Sequence, residues 1–135
     1  MTERVMQPEH NAYGYRAPIW QRFRAPAHAG RLEDQATTIS AQAGSSATHS
    51  VLRMQLALDG AGAVRRAAFQ AYGCPTAIAV GEWLSEQCEA VAPAGWSAID
   101  TQKIREALEI PDDKAHCALM GEDVLRALAQ QMSSP

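Results

Sequence analysis

The sequence predicts an α+β fold: a small three-stranded antiparallel sheet with helices packed on one face. Three observations carry this. From Val51 to Leu58, Leu52, Met54, Leu56 and Leu58 alternate with Arg53, Gln55 and Ala57, the period of two expected of a half-buried strand. After Pro75 the apolar spacing changes to a helical one, with Val80, Trp83, Leu84, Cys88 and Val91 on a single stripe. The strand patterns come before the long helical ones, which is the order of an α+β domain.

Residues 1–15 are polar and lack apolar periodicity, so they read as a flexible N-terminal tail before a single domain over 16–132. A short helix is expected from Pro18, a residue suited to a first turn, with Trp20 and Phe23 on one face and Pro26 and Gly30 ending it. A first strand is expected within Thr37–Ala43, because a hairpin needs a third partner, and Gly44-Ser45-Ser46 would lead out of it. Asp59-Gly60-Ala61-Gly62 supplies the turn to a returning strand over Val64–Tyr72, with Ala67, Phe69 and Ala71 on one face. The first long helix starts at Pro75 and breaks at Ala92-Pro93-Ala94-Gly95. Asp100 or Thr101 caps a short helix carrying Ile104, Ala107 and Leu108, stopped by Pro111. The last helix is expected from about Cys117, burying Met120, Val124, Leu125, Leu128 and Met132.

A chain of 135 residues fits one domain with a real core. Its net charge of −3 and its scattered arginines give no electrostatic case for nucleic acid or an anionic membrane. No apolar run has membrane-spanning length and Met1–Pro18 does not resemble a signal peptide, so the expected compartment is the cytoplasm. Its three cysteines are then reduced and available as ligands or nucleophiles.

The chemistry concentrates at two junctions. Cys74 lies where a strand ends and a helix begins, a position whose unpaired N–H groups favour thiolate. His116 and Cys117 lie side by side near the start of the last helix, with Lys114 adding positive charge. On a helix, adjacent residues diverge by roughly 100° and can still converge on one ion. Thiolate and imidazole suit zinc or iron. Cys88 falls on the apolar stripe and reads as core, and His10 and His28 read as solvent-facing.

These residues carry a resemblance. Trp20-Gln21-Arg22-Phe23-Arg24-Ala25-Pro26 through Gly30, then Tyr72-Gly73-Cys74 with Ala77-Ile78-Ala79, then Ile110-Pro111 and Lys114-Ala115-His116-Cys117 with Glu122-Asp123-Val124 resemble, in order and spacing, the IscU/NifU N-terminal-type iron–sulfur cluster assembly scaffold. The resemblance spans about residues 18–131. It implies that Cys74, His116 and Cys117 hold zinc, iron or a labile 2Fe–2S cluster. It also implies that Cys117 accepts sulfur from a cysteine desulfurase and that cluster-accepting apoproteins are the clients. Two departures stand out. Where the family has cysteine, glycine and aspartate, this chain has Thr48-His49-Ser50, so one ligand thiol is missing. His49 is the candidate replacement, but strand parity would turn it away from the face shared by Thr48, Ser50 and Leu52. The chaperone-recognition segment reads Pro111-Asp112-Asp113-Lys114, whose two added negative charges count against that partner.

The expected function is therefore a scaffold-like metal or cluster binder rather than an enzyme. One alternative is a zinc-dependent sulfur acceptor of SufU type using Cys117 as nucleophile. Another is a non-catalytic relative acting through protein partners. A homodimer remains open as its assembly.

Overall fold

The computed structural model of the protein describes residues 14–33 and 37–133. Three strands, β1 (Thr38–Ser45), β2 (Ser50–Leu58) and β3 (Val64–Tyr72), form an antiparallel sheet in the order β1-β2-β3. Register places Ala41 opposite Met54 and Met54 opposite Phe69. The alternation expected of β2 is realised on this register: Leu52, Met54, Leu56, Ala67 and Phe69 are buried on one face. The opposite face is covered only in part. Gln55 is buried there, its amide exchanging hydrogen bonds with the backbone of Leu32 at 2.9 and 3.3 Å, which satisfies a polar group that would otherwise be costly to bury. The turn after β2 is held by Asp59, whose carboxylate accepts from the N–H groups of Ala61 and Ala63, both at 2.9 Å.

Four helices complete the α+β domain: α1 (Ala17–Arg24), α2 (Pro75–Ala90), α3 (Thr101–Leu108) and α4 (Ala115–Ser133). Helix α2 packs on β3 and β2, and α4 packs on β1, β2, α2 and α3. Asp100 caps α3 as expected, accepting from the N–H of Lys103 at 2.8 Å. Short 3-10 turns at Ser46–Thr48, Pro93–Ala98 and Asp112–Lys114 occupy stretches that read as connections. Within the second of these Trp96 is fully buried, its indole N–H bonded to the carbonyl of Val91, while Arg126 of α4 ties down the carbonyls of Trp96 and Ile99. Arg105 of α3 pairs with Asp112.

Trp20 and Phe23 share a face of α1 as expected, 5.2 Å apart between ring centroids, with Tyr15 stacked on Trp20 at 6.0 Å, while the residue that the helix buries is Ile19. One expectation is corrected. His28 does not face solvent. Its two ring nitrogens lie 2.6 Å from Glu82 and 2.9 Å from Glu89, and its segment runs along the outer edge of β3. His10 and most of the expected tail lie outside the described residues.

Packing is closest at two glycines of the helical layer. A Cβ on Gly81 of α2 would overlap the ring of Phe69, and one on Gly121 of α4 would stand 2.6 Å from Val80 Cγ1 of α2. Gly81→Ala should therefore destabilise the fold by about 1–3 kcal/mol despite alanine's better helix propensity, because overpacking outweighs a gain of ~1 kcal/mol. Chemical denaturation of the two proteins checks this, and equal or higher stability of the variant would show that α2 can back away from the sheet.

Candidate metal centre

The site is built where β2 begins, β3 ends, and α2 and α4 start. Gly73 turns the chain out of β3 with φ +147°, and an added Cβ would crowd Ser50 Oγ at 3.1 Å and the carbonyl of His49 at 3.2 Å. This turn delivers Cys74 to the N-cap of α2, with Pro75 at the first helical position where no N–H is needed. Opposite, Thr48, His49, Ser50, Tyr72, Lys114 and His116 join Cys74 around an open cleft of about 520 Å³. A larger cleft of about 770 Å³, lined by Tyr15, Arg16 and Glu109, shares Lys114 but presents no thiol or imidazole among the described residues.

Cys74 and Cys117 meet. The Cys117 thiol donates to the Cys74 sulfur, which is the largest influence lowering the Cys74 pKa to about 4. Burial opposes this, and the N–H groups of Ala77 and Thr76 at the start of α2 add to it. The hydroxyl of Thr76, buried and with no other partner, also favours the thiolate. Cys117 is fully buried as the third residue of α4, and its neighbour Cys74 together with burial holds its thiol far above the usual range. Lys114 and the Ser50 hydroxyl pull it the other way. The two sulfurs thus share one proton, which stays on Cys117 while Cys74 ionises.

The remaining candidates separate. Cys88 is buried in the core as expected, with its thiol pushed up to about 12 by burial. His116 is exposed on the cleft wall while Cys117 points inward, so the neighbours diverge around α4 as the helical step dictates. The pairing of β1 with β2 ends at Ser45–Ser50, and Thr48 lies in the 3-10 turn with its hydroxyl donating to the carbonyl of Ser45 at 3.0 Å. Strand parity therefore governs Ser50 but not Thr48 or His49. His49 adopts a left-handed conformation, φ 58°, and is exposed at the cleft. As the side chains stand, no three His, Cys, Asp or Glu among the described residues are grouped around one point. Ser50 is the residue that pattern reading undervalued. It is buried on the Leu52 face, against Gly73, and its hydroxyl reaches Cys117; its parity with Leu52 was the available signal.

Residues 14–133 match the family model described as the NifU-like N terminal domain. The chain belongs to that family. Among curated relatives it is 28% identical over 114 residues to the "Iron-sulfur cluster assembly scaffold protein IscU" of Haemophilus influenzae, covering 84% of this chain and 90% of that protein. It is 27% identical over 114 residues to the protein of the same name from Escherichia coli K12, covering 84% and 89%. It is 25% identical over 122 residues to "Iron sulfur cluster assembly protein 1, mitochondrial" of Eremothecium gossypii, covering 89% and 79%. Among the described residues no helix is long and apolar enough to cross a membrane. At the β2 wall of the cleft, two hydroxyls and an imidazole stand in the three positions before Val51.

Ionisation of Cys74 can be read directly. In metal-free protein, alkylation of Cys74 should follow a midpoint near 4 in place of the ordinary thiol value of 9, so the residue is reactive in mild acid where Cys88 is not. Cys117→Ala removes the donated proton and should move that midpoint upward. Mass-mapped alkylation against pH checks both statements, and a Cys74 midpoint unchanged by Cys117→Ala would place the cause in the helix terminus alone.

Proposed function

We propose that this protein is a scaffold that holds an iron–sulfur cluster, or a single zinc or iron ion, through Cys74, His116 and Cys117. The observation that carries the reading is the contact of the Cys74 and Cys117 sulfurs at the converging starts of α2 and α4, beside a cleft that His116 also lines. The donor set fits such cargo chemically. Two thiolates and an imidazole match the preferences of zinc and of iron–sulfur clusters, and the half-buried Cys74 thiolate is already stabilised. Loading requires Cys117 to give up its proton and His116 to turn toward the sulfur pair. A cation makes the first step favourable, because the ligand that binds a metal is the thiolate and the released proton leaves with water.

The names of the relatives support a scaffold role, and the family resemblance supports a sulfur-donating cysteine desulfurase and cluster-accepting apoproteins as partners. On this reading Cys117 is also the sulfur acceptor and the compartment is the cytoplasm. The fourth ligand position is filled by water, a weak hydroxyl or a partner's side chain, since Thr48 and Ser50 are poor ligands for these metals. His49 reaches the cleft but needs its exposed ring to fold inward, so it contributes little. A cluster with one such position is open to solvent and short-lived, which suits transfer rather than storage.

Metal analysis of the purified protein tests the site. About one zinc or iron per chain is expected, lost in Cys74→Ala and Cys117→Ala and retained in Cys88→Ala, as for three protein ligands plus water. Metal content indifferent to both junction cysteines would overturn it. Anaerobic reconstitution with iron and sulfide, followed by visible absorption over hours, tests the cargo. Thr48→Cys should lengthen cluster lifetime, whereas His49→Ala should weaken metal binding by less than about tenfold, or ~1.4 kcal/mol. A larger loss on His49→Ala would make His49 the fourth ligand.

A further inference from the structure

We propose that the imidazole of His28, clamped between Glu82 and Glu89, is a pH-operated latch that fastens residues 28–30 along the outer edge of β3 and releases that edge when its proton is lost. With both carboxylates ionised, the geometry puts a proton on each ring nitrogen. Nδ1 lies 2.6 Å from Glu82 Oε2 and Nε2 lies 2.9 Å from Glu89 Oε1. An ionised carboxylate only accepts, so both nitrogens must donate and the ring is the imidazolium; a neutral ring can serve one arm and turns a lone pair toward the other.

The same two glutamates also hold backbone. Glu82 accepts from the N–H of His28 at 2.8 Å, and Glu89 accepts from the N–H of Ala67 at 2.8 Å. Between them the segment pairs with β3 as a short parallel bridge. The N–H of Phe69 donates to the carbonyl of His28 at 3.0 Å, and the N–H of Gly30 donates to the carbonyl of Phe69 at 2.8 Å. The edge of β3 is thereby covered, which removes the hazard of an open strand edge.

The other charges near the clamp are few. Arg66 of β3 lies beside Glu89, Glu86 of α2 is engaged by Arg22 of α1, and Arg31 lines the same small cavity as His28. Of the two arms, the Glu82 arm is the buried one, with that side chain 4% exposed against 34% for Glu89. Deprotonation therefore takes the proton from Nε2 and opens the Glu89 arm first.

The sign of the pH dependence follows. Burial works against the charge on His28, but the bonds to Glu89 and Glu82 outweigh it and raise its pKa above 6.5. The latch is then complete below 6.5 and is lost as pH rises through the raised value. Glu89 behaves oppositely: burial is outweighed by its bonds to His28 and Ala67, its pKa falls below 4.5, and its share is lost as pH falls through that lowered value. The latch holds between these limits.

The test uses the full-length chain and two readouts, the NMR titration of the His28 ring and hydrogen exchange at the amides of Gly30 and Phe69. Exchange is corrected for its intrinsic pH dependence and measured from about pH 6 to about pH 9.5. Protection of Gly30 and Phe69 should fall at least about tenfold, with the midpoint of the His28 titration, while Met54 within β2 is unchanged. His28→Gln should show low, pH-independent protection at the same amides. Should that variant not fold, Glu89→Gln decides, because it must move both midpoints to lower pH. A His28 pKa at or below the free value overturns the proposal. So does protection that stays constant with pH, or a fall whose midpoint Glu89→Gln leaves in place.

Discussion

The position of α2 is the constraint on which the rest depends. Its glycine at 81 lies against Phe69 of β3, and its Val80 and Leu84 lie against the glycine at 121 of α4. Both contacts are too close for a side chain, so the helix is fixed against sheet and neighbour at once. The consequence reaches the site through rigid geometry. Cys74 sits seven residues before Gly81 and Cys117 four residues before Gly121, about two turns and one turn from the two contacts. Two sulfurs from segments far apart in sequence are therefore brought together by packing in the core, with no bond at the site needed to hold them there.

That arrangement sets how the thiol pair ionises. Two thiols in contact cannot both ionise cheaply in a dry environment, so one proton is retained and the pair behaves as a single acid. The helix terminus decides which sulfur ionises. Cys74 receives N–H groups from the first turn of α2, whereas Cys117, three residues into α4, is buried without that help. Lys114 and Ser50 bias Cys117 toward ionisation without achieving it. The neutrality of Ser50 matters here. A hydroxyl tolerates 4% exposure against the Cys117 thiol, where a carboxylate would add a charge like that of the Cys74 thiolate to the same pocket.

Much of this was legible in the sequence, and the reason is periodicity. Leu52, Met54 and Leu56 could only be one face of a strand, and the order Tyr72-Gly73-Cys74-Pro75 could only be a strand giving way to a helix. What escaped notice lacks a period. His28 looked like a loop residue because its partners Glu82 and Glu89 lie more than fifty residues away, on a helix whose apolar stripe drew attention to its other side. Trp96 was hidden in a stretch rich in proline and glycine that a 3-10 turn tucks into the core. Ala115 and His116 fell before the expected helix start because the Asp112–Lys114 turn runs into α4 without a break.

The turn before β2 shows where sequence rules stop applying. Parity reasoning assumes an extended chain, and it held for Ser50, which shares the buried face of Leu52. It failed one residue earlier because His49 is left-handed, a conformation that costs a non-glycine residue roughly 1 kcal/mol or more. The backbone there has the shape that a glycine would take freely, although the side chain is an imidazole. A ring of contacts around it holds that shape. The carbonyl of His49 abuts Gly73, Thr48 closes on the carbonyl of Ser45, and Ser50 fills the space between Gly73 and Cys117. The strained turn thus belongs to the cleft in the same way as Cys74 and Cys117: it forms the wall that faces the two sulfurs.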